Sequence, residues 1–143
     1  MKRIRPYHRW LLFAVYTVAL GAACLAPAVL IAPFTPDING FDLAAHFLLF
    51  GGHAALFLVA LGPATCRTAG AGAPLASVSL TAAYGIAIEC LQAALRGAGR
   101  HFDWWDLAAD AAGATVFSGA ALVLFYRLAP DSSNTIPSKV TLT

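Results

Sequence analysis

The residues able to do chemistry in this chain are few, since only 11% of it is charged, and they recur at helical intervals. Asp42 and His46 stand four apart. Glu89, Gln92 and Arg96 follow one another at three and four, with Tyr84 and Gly85 one turn before them. Arg100, Asp103, Asp106, Asp110 and Gly113 continue the same rhythm. On a helix, such intervals put side chains on one face. An imidazole titrates near neutrality, and a carboxylate neighbour orients it and strengthens it as a base, so Asp42, His46 and Glu89 form a candidate acid–base set. A Glu89 held away from water keeps its proton more readily and can act as an acid. Arg100 can grip a phosphate or carboxylate with two parallel bonds. Tyr84, Gln92, Asp103, Asp106 and Asp110 complete the candidate substrate contacts. Carboxylates with one imidazole also suit a divalent cation, an alternative for Asp42, His46, Glu89, Asp106 and Asp110, although no motif as sharp as HExxH requires one. No other cofactor is implied. The competing structural reading is an ion-pair network fixing helix register, with Asp103 and Asp106 favoured at a helix start by the dipole.

The elements that must position these residues are membrane spans. The chain is 59% hydrophobic with mean hydropathy +0.72, whereas soluble domains carry about 25% charged residues. A span needs about 20 apolar residues, and a helix satisfies its own backbone in lipid. Four such runs are expected, over residues 10–31, 42–61, 74–95 and from 105 or 106 to 128. The fold class is therefore all-α, an integral membrane bundle of four transmembrane helices. It is flanked by a basic N-terminal stretch (1–9) and a polar C-terminal tail (129–143) read as disordered. The first run is too long for the apolar core of a signal peptide. Pro27 should kink or end it. Residues 33–40, 65–73 and 96–100 read as loops, and Gly62-Pro63 should stop the second span. Cys24, Cys66 and Cys90 show no paired spacing and read as small packed residues. A net charge of +2 gives no reason to expect nucleic acid as a partner. His53, seven residues past His46, reads as a packed neutral histidine, and His101 as a loop residue. Trp104 and Trp105 read as an interfacial belt. Gly51-Gly52 and the stretch from Gly113 to Gly119 should allow close helix packing.

Basic residues set the expected orientation. Lys2, Arg3, Arg5, Arg9, Arg67, Arg127 and Lys139 fall on one side, and only Arg96 and Arg100 on the other. The positive-inside rule then places both termini in the cytoplasm. Spans alternate in direction, so the polar stripes of the second, third and fourth all lie near the outward end. At 1.5 Å per residue, Glu89 lies about 10 Å below Arg96, and His46 and Asp110 each lie about 6 Å below Asp42 and Asp106. Charges at that depth are costly, so the stripes should face one another in one polar pocket open to the outer side.

These stretches resemble the signatures of the VanZ-like membrane proteins. Phe41-Asp42-Leu43-Ala44-Ala45-His46-Phe47 is similar to the first, Tyr84-Gly85 with Glu89 and Gln92 to the second, and Arg100-His101-Phe102-Asp103-Trp104-Trp105-Asp106 with Asp110 and Gly113 to the third. The resemblance covers roughly residues 35–128. Leu43 stands where the family commonly has Lys, and Asp110 where it commonly has Asn. The family takes its name from a factor giving low-level resistance to the glycopeptide teicoplanin. The resemblance implies a bacterial plasma membrane protein of the cell envelope; for a polar pocket open to the outer side there, membrane lipids are the expected partners and a lipid-linked envelope precursor a candidate one. It implies no settled reaction. An acid–base hydrolase or transferase, a lipid- or antibiotic-binding protein without catalysis, and a small transporter are the readings to separate. The lack of an inverted repeat weighs against the last.

Overall fold

A computed structural model of the protein describes residues 5–31, 33, 40–95 and 102–128. The helices are α1 (Pro6–Leu25), α2 (Ala28–Ile31), α3 (Phe41–Leu61), α4 (Pro63–Ala69), α5 (Gly72–Ala94) and α6 (Trp104–Arg127), with no strand among the described residues. The four long ones, α1, α3, α5 and α6, are each long and apolar enough to cross a membrane.

Proline and glycine chemistry sets the boundaries. Pro6 occupies the first turn of α1, where its missing N–H is not needed. The helix ends at Leu25 because Ala26 is extended, with φ −61° and ψ 142°, as a residue before proline prefers. The run 10–31, expected as one span, is thus α1 followed by the single turn of α2. Gly62, at φ 90°, ends α3 and returns its N–H to the Leu58 carbonyl. Pro63 then opens α4, which corrects the reading of 65–73 as a loop. Buried Cys66 pins α4 by pointing its thiol at the Leu58 carbonyl, 3.5 Å away. Burial pushes that thiol's pKa up against the pull of Arg9, as fits a packing residue. Asp103 caps α6 by accepting the Trp105 N–H at 2.8 Å.

Side-chain pairs show how the helices run. Arg9 lies beside Gly62, Thr17 beside His53, and the Cys24 carbonyl beside Gln92. Helix α1 therefore runs antiparallel to α3 and parallel to α5. Helix α3 runs parallel to α6 in the tightest pairing of the bundle. Lipid offers helices no hydrophobic reason to associate, so small residues and polar bonds must join them. Gly113 of α6 sits directly on the Phe47 backbone, and Gly51 of α3 sits against the Phe117 ring. Gly52 faces the Tyr16 hydroxyl, whereas Gly119 has nothing within 4 Å and takes no part in packing. Ser77 donates to the Ala54 carbonyl at 2.8 Å, and Ser118 donates to Ser77 at 3.0 Å. Leu11, Val15, Val18, Leu48, Val116 and Leu124 lie on the exposed faces, suited to lipid tails.

Candidate active site

The start of α3, the end of α5 and the start of α6 meet at one end of the bundle. Because Gly113 lets α6 touch the backbone at Phe47, the preceding residue, His46, is carried against Asp110, one turn before Gly113. The His46 Nδ1 stands 2.9 Å from Asp110 Oδ1, and its Nε2 stands 3.6 Å from Asp106 Oδ2. The ring stacks on Phe50 at 5.6 Å between centroids and 8° between planes. An ionised Asp110 can only accept, so Nδ1 donates to it. In the neutral ring this leaves the Nε2 lone pair turned towards Asp106.

Burial is graded across the cluster. Asp42 is exposed, His46 is 8% exposed and Asp110 is fully buried. Asp106 lies between these extremes, its side chain 13% exposed. The second oxygen of Asp110 lies over Gly85, where an ideal Cβ would come within 2.7 Å of it. That oxygen is buried and has no hydrogen-bond partner among the described residues. Glu89 is fully buried as well. Its Oε2 accepts the Asp103 N–H at 2.8 Å, which latches α5 to the start of α6. Its Oε1 is buried without a partner among the described residues. Unsatisfied buried groups are rare in native proteins, and a catalytic role or a bound ion is among their common explanations. One ligand atom from each of Asp42, His46 and Asp106 lies within 4.8 Å of the others, a spacing able to hold a metal ion.

Comparison with family models, with curated proteins and with solved structures finds no match to the chain.

Of the candidate residues, Asp42, His46, Asp106 and Asp110 come together, with Glu89 and Asp103 joined beside them. Asp110, not Asp42, makes the hydrogen bond that orients His46. Tyr84 donates to the Thr17 carbonyl at 2.6 Å and Gln92 to the Cys24 carbonyl at 2.9 Å, so both direct their polar ends at α1. Arg100, together with Arg96 and His101, lies outside the described residues.

His53 is a packed histidine. Its Nδ1 lies 3.0 Å from the Thr81 hydroxyl and its Nε2 lies 3.1 Å from that of Thr17. Thr17 donates its own proton to the Phe13 carbonyl, so it accepts from Nε2–H. In the neutral ring Nδ1 then accepts from Thr81; both nitrogens are satisfied, and the ring stacks on Tyr84. The sequence reading missed Phe50, Ser77, Thr81 and Thr17. A signal for three of them exists. Phe50 follows His46 by four, and Ser77, Thr81, Gly85 and Glu89 form an unbroken every-fourth series along α5.

Proposed function

We propose that this is a VanZ-like protein of the bacterial plasma membrane. Its site acts on a lipid or lipid-linked envelope molecule by acid–base chemistry, in hydrolysis or group transfer. The observation that carries the reading is the pairing of His46 with Asp110 at 2.9 Å beside a fully buried Glu89 that keeps one oxygen unbonded. Ionisable groups inside spans are expensive and mark functional sites by default. Here they are gathered from three helices at one end. With both termini cytoplasmic, as the basic residues favour, that end faces the outer leaflet, where lipid-linked wall precursors and glycopeptides such as teicoplanin meet.

In this scheme Asp110 holds the imidazole in one tautomer, and His46 Nε2 and Glu89 move protons. Exposed Asp42 and half-buried Asp106 line the approach, and Arg100 grips the anionic head group. General acid–base groups typically contribute about 10²–10⁴-fold to rate. The test is incubation of the full-length protein, in nanodiscs, with the lipid fraction of its native membrane, followed by mass spectrometry of the products. Wild type should convert one lipid class, and His46→Ala and Glu89→Gln should each slow conversion by about 100-fold or more. Full turnover in both folded variants would sink the catalytic reading.

A further inference from the structure

We propose that Asp42, His46 and Asp106 form a binding site for one divalent transition-metal ion, with Asp110 as the carboxylate behind the histidine. The spacing of His46 and Asp106 supports this, and Asp42 lies close by. His46 is more than nine-tenths buried, and with its Nδ1 bonded to Asp110 its Nε2 faces Asp106. The nearby Asp106 Oδ2 is 3.6 Å away, beyond the usual range for an N–H···O bond. Two ligands on one ion, each bonded at about 2.0–2.2 Å, stand roughly 3–4 Å apart. That separation suits the pair better than a direct contact does. Asp42 brings a third oxygen into the same space, all three ligand atoms lying within 4.8 Å of one another.

The hydrogen bond from His46 Nδ1 to Asp110, at 2.9 Å, has the form seen behind metal-bound histidines, where a carboxylate fixes the tautomer and leaves the other nitrogen to the metal. Charge points the same way. Asp42, Asp103, Asp106, Asp110 and Glu89 gather around one imidazole, and a dication would offset that excess. The donor set selects the ion. One imidazole with carboxylates and no thiolate suits Zn²⁺ or Mn²⁺, whereas Ca²⁺ would want six or more oxygens. Three protein ligands leave coordination open for water or a substrate oxygen, the pattern of catalytic sites. Exposed Asp42 gives the ion its way in. Any use of the ion on a lipid phosphate rests on the reading proposed above, with Glu89 then left as the proton-transfer group; ion binding itself does not depend on that reading.

The test is to strip the full-length protein in nanodiscs with a chelator, then titrate it separately with Zn²⁺ and Mn²⁺ by equilibrium dialysis and elemental mass spectrometry. Wild type should take up one equivalent of at least one of the two ions. His46→Ala and Asp106→Asn should each weaken uptake at least tenfold, and Asp110→Asn by about 10–100-fold. Asp42 is exposed, so Asp42→Asn keeps the fold and should also weaken uptake, which guards against loss of binding through misfolding. His8→Ala and Cys90→Ser, at exposed positions outside the proposed ligand set, should change nothing. The proposal is overturned if wild type takes up neither ion, if the Asp42, His46 and Asp106 variants bind like wild type, or if the His8 or Cys90 variant alone removes binding. Ion binding with no lipid turnover would keep the site and remove the enzymatic reading. Lipid turnover by protein that takes up neither ion would do the reverse.

Discussion

Replacing Gly113 by alanine tests whether the α3–α6 contact builds the site. An ideal Cβ on Gly113 would stand 2.8 Å from the Phe47 carbonyl carbon and 3.1 Å from its Cα, with the carbonyl oxygen nearer still. Carbon atoms rest about 3.5–4.0 Å apart. The obstruction is backbone, so no side chain can swing away, and with the carbonyl oxygen the nearest atom the helices must part locally by about 1 Å or more. His46 and Asp110 sit within a turn of that contact at 2.9 Å. Such a shift takes them past the limit of about 3.2 Å for a good N–H···O bond. Overpacking typically costs about 1–3 kcal/mol, and a lost bond to a charged group about 1.5–3 kcal/mol. Alanine's better helix propensity returns about 1 kcal/mol. The net expectation is a loss of about 1.5–5 kcal/mol. Gly119→Ala on the same helix meets nothing within 4 Å and should be neutral or up to about 1 kcal/mol stabilising. Reversible unfolding in mixed micelles, followed by far-UV circular dichroism, measures the difference. Nitrogen-15 NMR of His46 reads the Nδ1 hydrogen bond directly. If the two variants are equally stable, or if the His46 signal is unchanged in Gly113→Ala, the argument that this glycine sets the site geometry is wrong.

Two further outcomes follow from the same packing. Ser77→Ala removes the bond to the Ala54 carbonyl and the acceptor for Ser118; interhelical polar bonds in bilayers average about 0.6 kcal/mol, so the same unfolding assay should show a loss of about 0.5–1.5 kcal/mol with ion uptake intact. Trp104 and Trp105 are each 73% exposed at the start of α6. In a Trp10→Phe protein their fluorescence should be quenched most by lipids brominated high on the acyl chain, and strongest quenching from mid-bilayer bromines would refute their place at the interface.

Much of the site was legible because helical spacing fixes which residues share a face before any tertiary contact is known. The alternating directions of the spans then put Asp42, His46, Glu89, Asp106 and Asp110 at one end, and that is where they lie. What spacing does not fix is the rotation of each helix about its axis. The partner of His46 is 64 positions away, and it was decided by the close approach of Gly113 to Phe47, which no periodicity reports. Spacing along α5 puts Tyr84 and Gln92 with Glu89, and the apolar side chains of α1 offer the sequence no rival partner for them. Their partners are α1 backbone carbonyls, at Thr17 and Cys24, and every residue type carries a carbonyl. The helix α4 was read as loop because Gly70 and Gly72 dominate that stretch, while the proline that starts it and the buried Cys66 that holds it lie at and before its edge.

The pattern of satisfaction sets this cluster apart from the other buried polar groups of the bundle. Along the rest of the bundle the buried polar groups complete one another. His53 has two hydroxyls, Ser77 has a carbonyl and Ser118 has Ser77. A network serving only helix register has no reason to be finished there and unfinished elsewhere, since each buried unpaired group carries a desolvation penalty of about 1–3 kcal/mol. Yet both buried carboxylates, Glu89 and Asp110, keep an oxygen without a partner among the described residues. The third such atom, Arg9 Nε, belongs to a half-exposed side chain at the opposite end. Unpaired acceptors gathered at one end call for a donor or a cation from outside the helices. A proton held on the carboxylate meets that need; another apolar contact does not.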